Sequence, residues 1–509
     1  MNLRNHVSSV EESAARHPSR VAFKIPWVNT ETNEIDGWRD ITYSQYLLDI
    51  ERFAAYWYYV LNDVAKIPQR SVIAIWGYRY VDVLHVYGIF RAGYITQLIG
   101  LFPDAPYDLI RGVFESAKPR AFIFESLYKT SEAVRNAPMP CYEALPSADI
   151  AYSNEYPLPQ FPLVKAEDIA IIAQTSGTSS GTSKIVPGSY RWLDAMCRKS
   201  SLLNTPSGPD KQDIFMWRGP IGFVGQFATF TSTAYHAACV VQPRNGLPLT
   251  NELVSMIKQC NINKIHQFSP FIEKHFRAAR NDPDILSTFC ALDEIFYDGL
   301  SLRASEEKWA YQNGINLVNI FGSTECGGGL LISEGTRKDP RNLLRPYTGA
   351  ILKFVPNDFH ELAGDSDLVE LIVPPEAPDC PDKSQRAEDG GFHLGDLFRE
   401  IEPGAGIEEN VGELCSDIIT GCVALGEGRP SPVLIVESHS ENFEALPMEI
   451  YGRIALFHAA RHPFERIVSE KMIIAVPTGT LPRTVSKGTV QRRKAEAMFQ
   501  KDIDSVFGL

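Results

Sequence analysis

One stretch constrains this chain more than any other. At Ile171–Val186 an apolar run, IIAQ, passes directly into a segment of Ser, Thr and Gly alone, Thr175 to Ser183. Lys184 closes the segment, and apolar Ile185 and Val186 follow at once. Glycines let the backbone turn its N–H groups toward an anion, and hydroxyls add donors. A terminal lysine supplies a point charge for phosphate. Composition alone would favour a flexible linker. A linker, however, should not emerge abruptly from a buried strand and end in lysine before another apolar pair. The stretch is therefore read as a phosphate-holding loop, although it does not meet the Gly-x4-Gly-Lys-Ser/Thr pattern of a Walker A loop.

The rest of the chain reads as an α/β protein, with short apolar runs alternating with amphipathic stretches. Strands are expected at Ser71–Trp76, Ala121–Glu125, Asp168–Gln174, Pro432–Glu437 and Met472–Val476. Val83, Val86, Tyr87 and Phe90 stand at helical spacing with Gly93 as a stop, and a second helix is expected around Ile450–Ala460. A chain of 509 residues exceeds the usual ceiling for one hydrophobic core. The expected division is a large N-terminal part, residues 1–402, and a small C-terminal part, residues 403–509, near the turn Pro403–Gly406. Residues 374–392, rich in Pro, Gly and charge, read as a surface excursion.

Composition removes several function classes. A net charge of −13 repels a polyanion, and the small basic cluster Arg492, Arg493 and Lys494 reads as a solvated helix face, so no nucleic-acid partner is expected. Nine cysteines without a CxxC pair suit reduced thiols and a cytoplasmic location. The polar start lacks a signal-peptide core, and no run is long enough to span a bilayer, so no membrane partner is expected. His85, His236 and His266, in apolar contexts, read as structural histidines, and Cys326 as a buried thiol. No Ser–His–Asp nucleophile pattern announces itself.

The Thr175 loop resembles the Thr-Ser-Gly-Thr-Thr-Gly-x-Pro-Lys signature of the adenylate-forming superfamily, which includes acyl-CoA synthetases and nonribosomal peptide synthetase adenylation domains. Thr175, Ser176, Gly177, Thr178, Gly181 and Lys184 match, with one extra residue between Ser179 and Gly181 and Ser183 in place of the proline. Asn319–Glu325, NIFGSTE, resembles the family's Asn-x-Tyr-Gly-x-Thr-Glu. The resemblance implies that Asn319 belongs to the nucleotide site, that Phe321 stacks on adenine, that Thr324 meets the α-phosphate and that Glu325 holds Mg²⁺. A carboxylate and a hydroxyl beside a triphosphate are what that ion needs. Gly391–Leu397, GFHLGDL, is similar to Tyr-x-Thr-Gly-Asp-Leu and makes Asp396 the acceptor of both ribose hydroxyls, with Leu394 in place of threonine. Leu481–Lys494, LPRTVSKGTVQRRK, resembles Leu-Pro-Lys-Thr-x-Ser-Gly-Lys with its last pair inverted to Lys487–Gly488. Lys487 then takes the catalytic lysine's role, with Thr324 and Glu325 as its catalytic partners. It would neutralise charge as carboxylate meets phosphate.

The resemblance covers nearly the whole chain. It implies a large multi-sheet N-terminal adenylation domain, a small mobile α+β C-terminal domain, and ATP and Mg²⁺ as cofactors. GWRDITYSQY, YRYVDVLHVYGIFRAGY and GEGRPSPVLIVE look closest to the adenylation domains of fungal carboxylic acid reductases of the nonribosomal-peptide-synthetase-like kind. These act in secondary metabolism and pass the acyl group to a phosphopantetheine-bearing carrier domain. The chain is accordingly expected to be an excised module of a longer synthetase; alternatives are a free-standing acyl-CoA ligase and a non-catalytic ATP-binding relative.

Two departures matter. The Gly-Arg-x-Asp-Asp hinge that normally follows Asp396 is absent, LFREIEPG running straight into AGIEENVGEL. Either the hinge arginine is truly lost or a mobile stretch is omitted from this sequence. The second is preferred, because domain rotation needs that hinge. In place of the family's Pro-x-Phe-His stands Gly219–Gly225, GPIGFVG, and no acidic residue that would capture an α-amino group is evident nearby. The expected substrate is a small carboxylic acid that is not an amino acid. Phe223, Gln226, Phe268, Gly299 and Gly322 are candidates for its pocket wall, with Phe223 and Phe268 equally readable as core.

Overall fold

Val72–Trp76, Ile95–Leu98, Ala121–Phe124 and Ile169–Gln174 are short and almost wholly apolar, as central strands covered on both faces must be. The computed structural model describes residues 3–508 except 30, 33, 102–106, 149–155, 176–183, 209–210, 245, 340, 357–367, 400–404, 427–428, 430, 441, 460–465, 484–489 and 491. Among the described residues these strands form a six-stranded sheet in the order Cys141–Glu143, Ala121–Phe124, Val72–Trp76, Ile95–Leu98, Ile169–Gln174, Ile185–Ser189. All its pairings are parallel except the last. The expected helix is Tyr80–Arg91. It is hidden on nearly every face, so its apolar residues do not confine themselves to one stripe.

A nine-stranded sheet follows the order Leu344–Pro346, Gly328–Ser333, Leu317–Ser323, Glu294–Asp298, Lys264–Phe268, Ile214–Met216, Cys239–Val241, Val21–Val28, Ile35–Thr42. Its middle strands run parallel, so their C-terminal ends share one edge, where ligands gather in open α/β sheets. Phe23, Tyr46, Tyr80, Trp217 and Phe230 fill the adjoining core with tilted and edge-on ring contacts at 4.7–6.3 Å.

The chain divides into two units, Met1–Tyr347 with Pro378–Arg386, and Thr348–Ala377 with Ala387–Leu509. Both sheets above lie in the first. The second unit holds two three-stranded sheets among its described residues. In one of them Val433–Ser438 is central, and its side chains divide by alternation. Leu434 and Val436 meet Val411, Ile450 and Ile454, whereas Val433 and Ile435 meet Ala495, Phe499 and Ile503 of the helix Arg492–Val506. Arg492 is not simply part of a solvated face. Its guanidinium pairs with Glu408 at 2.6 Å and donates to the Ala424 carbonyl.

Residues 374–392 also differ from a plain surface excursion. Pro378–Arg386 belongs to the first unit, Asp379 and Cys380 are buried, and Gln385 donates to the Ile185 carbonyl. The segment is drawn in because Asp379 is the counter-charge of a buried lysine, Lys199.

His6, His85 and His275 are buried and neutral. His6 lies against Tyr87, Phe90 and Phe227, His85 accepts from the Trp57 indole at 2.8 Å, and His275 hydrogen-bonds Thr250. Burial pushes the first two down to about 3 and His275 to about 4. Between about 6.5 and those values the unfolded chain binds protons that the folded one refuses, so stability rises with pH there. This stability is fully present above pH ~6.5 and is lost as acid approaches the folded values, by up to ~1.4 kcal/mol per pH unit per histidine. Urea midpoints should fall steadily from pH 6.5 to pH 4; a flat profile would contradict the burial of these rings.

Candidate active site

Ile169–Gln174 pairs antiparallel with Ile185–Ser189, bringing Gln174 opposite Ile185. The Thr175 N–H donates to the Lys184 carbonyl (2.9 Å), and the Lys184 N–H to the Thr175 hydroxyl (3.3 Å). Thr175 and Lys184 therefore close the neck of a hairpin at the edge of the six-stranded sheet, a placement unlike that of an interdomain linker. Ser176, Gly177, Thr178 and Gly181 lie outside the described residues.

The second strand of that hairpin ends in Ser189, whose hydroxyl caps the helix Tyr190–Leu203 by accepting from the Trp192 N–H. Two side chains on this helix, two turns apart on one face, reach the Asn319–Glu325 segment. The Trp192 indole donates to the Glu325 carbonyl (2.8 Å), and the Lys199 ammonium donates to the Cys326 carbonyl. Lys199 also pairs with Asp379 at 3.0 Å, both side chains being buried. Thus the element that follows the loop grips the backbone of the glutamate turn.

Asn319 and Phe321 lie on the strand Leu317–Ser323, and the turn comes after it, at Thr324–Gly327, where the Gly327 N–H donates to the Thr324 carbonyl. Gly322 is within the strand, not at the turn. A Cβ there would stand 2.2 Å from the Gly328 carbonyl oxygen, so only glycine permits the close pairing with Gly328–Ser333. Glu325 is half-buried on the turn, with its carbonyl tied down. Burial pushes the neighbouring Cys326 thiol up to about 12, which keeps it protonated and unreactive.

The pocket candidates assemble along the C-terminal edge of the nine-stranded sheet. Phe223 precedes the helix Val224–Tyr235, and its ring meets Phe268 edge-on at 5.6 Å. Gln226, fully buried, accepts from the Arg218 backbone N–H at 2.7 Å. Gly299 has φ +78°, and a Cβ there would come 2.9 Å from the Phe268 ring. At their centre is a charged group that sequence reading missed. Arg218 stacks over Phe268 at 4.5 Å, pairs with Asp298 at 2.5 Å and lies 2.9 Å from His266, which is itself 3.1 Å from Asp298. Burial alone would push the Asp298 carboxyl up, but Arg218 and His266 hold it well below the usual carboxylate range. Burial, then Arg218, push His266 down, so the ring is neutral. The three residues stand far apart in sequence, and only an arginine inside the apolar segment IFMWRGPIGF hinted at them. His85 and His236 are structural; His236 hydrogen-bonds the Ser201 carbonyl at 2.8 Å.

Asp396 is exposed on the strand Phe392–Arg399 of the second unit. Lys487 lies outside the described residues, but its neighbours Arg483 and Val490 form an antiparallel bridge. Arg483 is anchored on Glu437 at 2.5 Å. Among the described residues no three His, Cys, Asp or Glu side chains cluster as a metal cage. Magnesium needs none, since it binds through one or two carboxylates together with phosphate oxygens and water, and Glu325 fits that partial set.

Residues 10–358 match the AMP-binding enzyme family and residues 402–508 match an AMP-binding enzyme C-terminal domain; the chain belongs to that family and is an adenylate-forming ligase. Its sequence is similar to the AMP-binding domain-containing enzyme iboA of Amanita muscaria, 26% identical over 94% of this chain and 99% of the relative. It is also similar to the adenylate-forming reductase stbB of Stachybotrys bisbyi, 22% identical over 71% of this chain. The match spans only 34% of that reductase's length. The fold is that of the o-succinylbenzoate coenzyme A synthetase of Bacillus subtilis solved with ATP and magnesium ion. The TM-score is 0.58 at 14% identity, over 96% of this chain and 98% of the other. No helix among the described residues is long and apolar enough to cross a membrane.

Proposed function

We propose that this enzyme activates a small, non-amino carboxylic acid with MgATP and passes the acyl group to the phosphopantetheine thiol of a carrier domain. The acid's carboxylate oxygen attacks the α-phosphorus, an acyl–AMP anhydride forms, and pyrophosphate leaves. The single observation carrying this reading is the Tyr190–Leu203 helix, which begins at the loop hairpin and holds the Glu325–Cys326 backbone through Trp192 and Lys199. It couples the phosphate-loop candidates Thr175–Lys184 to the Phe321, Thr324 and Glu325 motif.

In this reading Asn319 and Phe321 seat the adenosine and Thr324 meets the α-phosphate. Glu325 holds magnesium, which when bound screens the phosphate charge. Asp396 receives the ribose, and Lys487 bridges carboxylate and α-phosphate. Positioning and charge neutralisation supply most of the rate. By its motifs the core is assigned to residues 1–402 and the lid to 403–509, although the second unit already begins at Thr348. Because Arg218 already neutralises Asp298, that carboxylate is not free to capture an α-ammonium, which supports a non-amino acid. Nine free thiols suit a cytoplasmic setting. The likeness to fungal reductases supports a place in secondary metabolism within a reductase-type assembly. The likeness to iboA supports a second reading, a free-standing acyl-CoA ligase.

ATP–pyrophosphate exchange over benzoic, fatty, hydroxy and amino acids tests the proposal. One or more active non-amino acids are expected. No exchange with any acid, despite ATP binding, would overturn it.

A further inference from the structure

Resting on the reading that an acid is activated beside Glu325, we propose that Asp298 determines specificity by accepting a hydrogen bond from a hydroxyl on the tail of the acid. The geometry is specific. Asp298 ends the strand Glu294–Asp298, whose Tyr297 is in register with Asn319 of the motif strand, so Asp298 stands at the edge from which Phe321 and the Glu325 turn continue. Of the three polar side chains in the cluster it is the accessible one: 17% exposed, against 7% for His266 and 0% for Arg218. Around it lie the Phe268 ring, in register with it on the next strand, and Gly299, where any side chain would crowd that ring.

A carboxylate has about four lone-pair positions. Arg218 donates to one oxygen and His266 Nε2 lies 3.1 Å from the other, which fixes the group's orientation, and the part-exposed carboxylate keeps acceptor capacity for a ligand. Those contacts also keep the group ionised, so it accepts and does not donate. Because Arg218 has already balanced its charge, the site gains little from an ammonium, and a neutral hydroxyl is the donor that fits. A plain hydrocarbon acid would bury this acceptor without a partner, which is where hydrogen-bonding sites discriminate most strongly.

Matched pairs measure this: 3-hydroxybutyrate against butyrate, and 4-hydroxybenzoate against benzoate, by exchange kcat/KM. In the wild type at least one hydroxylated member should exceed its deoxy partner by about 10- to 100-fold. In Asp298→Asn, which keeps the shape and a single carbonyl acceptor, that ratio should collapse toward parity. Equal rates for both members of each pair in the wild type would overturn the proposal even if the variant does not fold. So would an unchanged ratio in a folded variant, or an amino acid activated in preference to the hydroxy acids. Absence of exchange with every acid tested would instead count against adenylation itself.

Discussion

Replacing Lys487 by alanine is expected to abolish measurable ATP–pyrophosphate exchange, a fall of at least about 10²–10³-fold, the scale on which removing one positioned electrostatic group acts. The lysine's motif departs from the family's pattern by inversion to Lys487–Gly488, so register is what the experiment decides. Flanking residues have contacts of their own. Arg483 bridges Val490 and pairs with Glu437, while the Leu481 N–H donates to the same carboxylate at 2.7 Å. The thermal midpoint and circular dichroism should therefore match the wild type. Unchanged exchange would mean that another residue of the segment supplies the charge.

The second large effect concerns Lys199. Its ammonium is buried against Asp379 and tied to the Cys326 carbonyl. Lys199→Ala leaves a buried carboxylate without its partner and should cost about 3–5 kcal/mol of stability, read from urea unfolding. Asp379→Ala should cost a similar amount by stranding the ammonium. The double variant Lys199→Met, Asp379→Leu fills the space with apolar atoms and should recover most of that loss. It should not fully recover exchange, because the Cys326 carbonyl has lost its donor and only the Trp192 bond to the Glu325 carbonyl still holds the turn. If the double variant were fully active, the pair would be structural and no positioning role would survive.

How much of this was legible follows from distance along the chain. Thr175–Lys184 could be read because strand, loop and lysine are contiguous, and the structure adds that both flanks belong to one hairpin. NIFGSTE was readable for the same reason, although its turn lies at Thr324–Gly327, with Gly322 inside the strand. Phe223, Gln226, Phe268 and Gly299 do gather at one edge. What unites them, Arg218 with His266 and Asp298, could not be seen, because two strands and the segment just past a third, separated by long crossovers, supply one residue each. The burial of Asp379 was hidden for a related reason. A stretch rich in Pro, Gly and charge usually lies at the surface, and only a buried partner 180 positions away pulls it inward.

By itself, then, the sequence determined the local parts: which runs are strands, where a Ser/Thr/Gly stretch leaves one of them, and which short motifs carry hydroxyl, carboxylate and lysine. Periodicity and backbone chemistry act over a few residues, so a linear reading captures them. Tertiary structure alone decided which distant charges meet. Burying Arg218, Lys199 and their carboxylates is tolerable only where each finds its partner, and that partner is supplied by packing rather than by sequence neighbours.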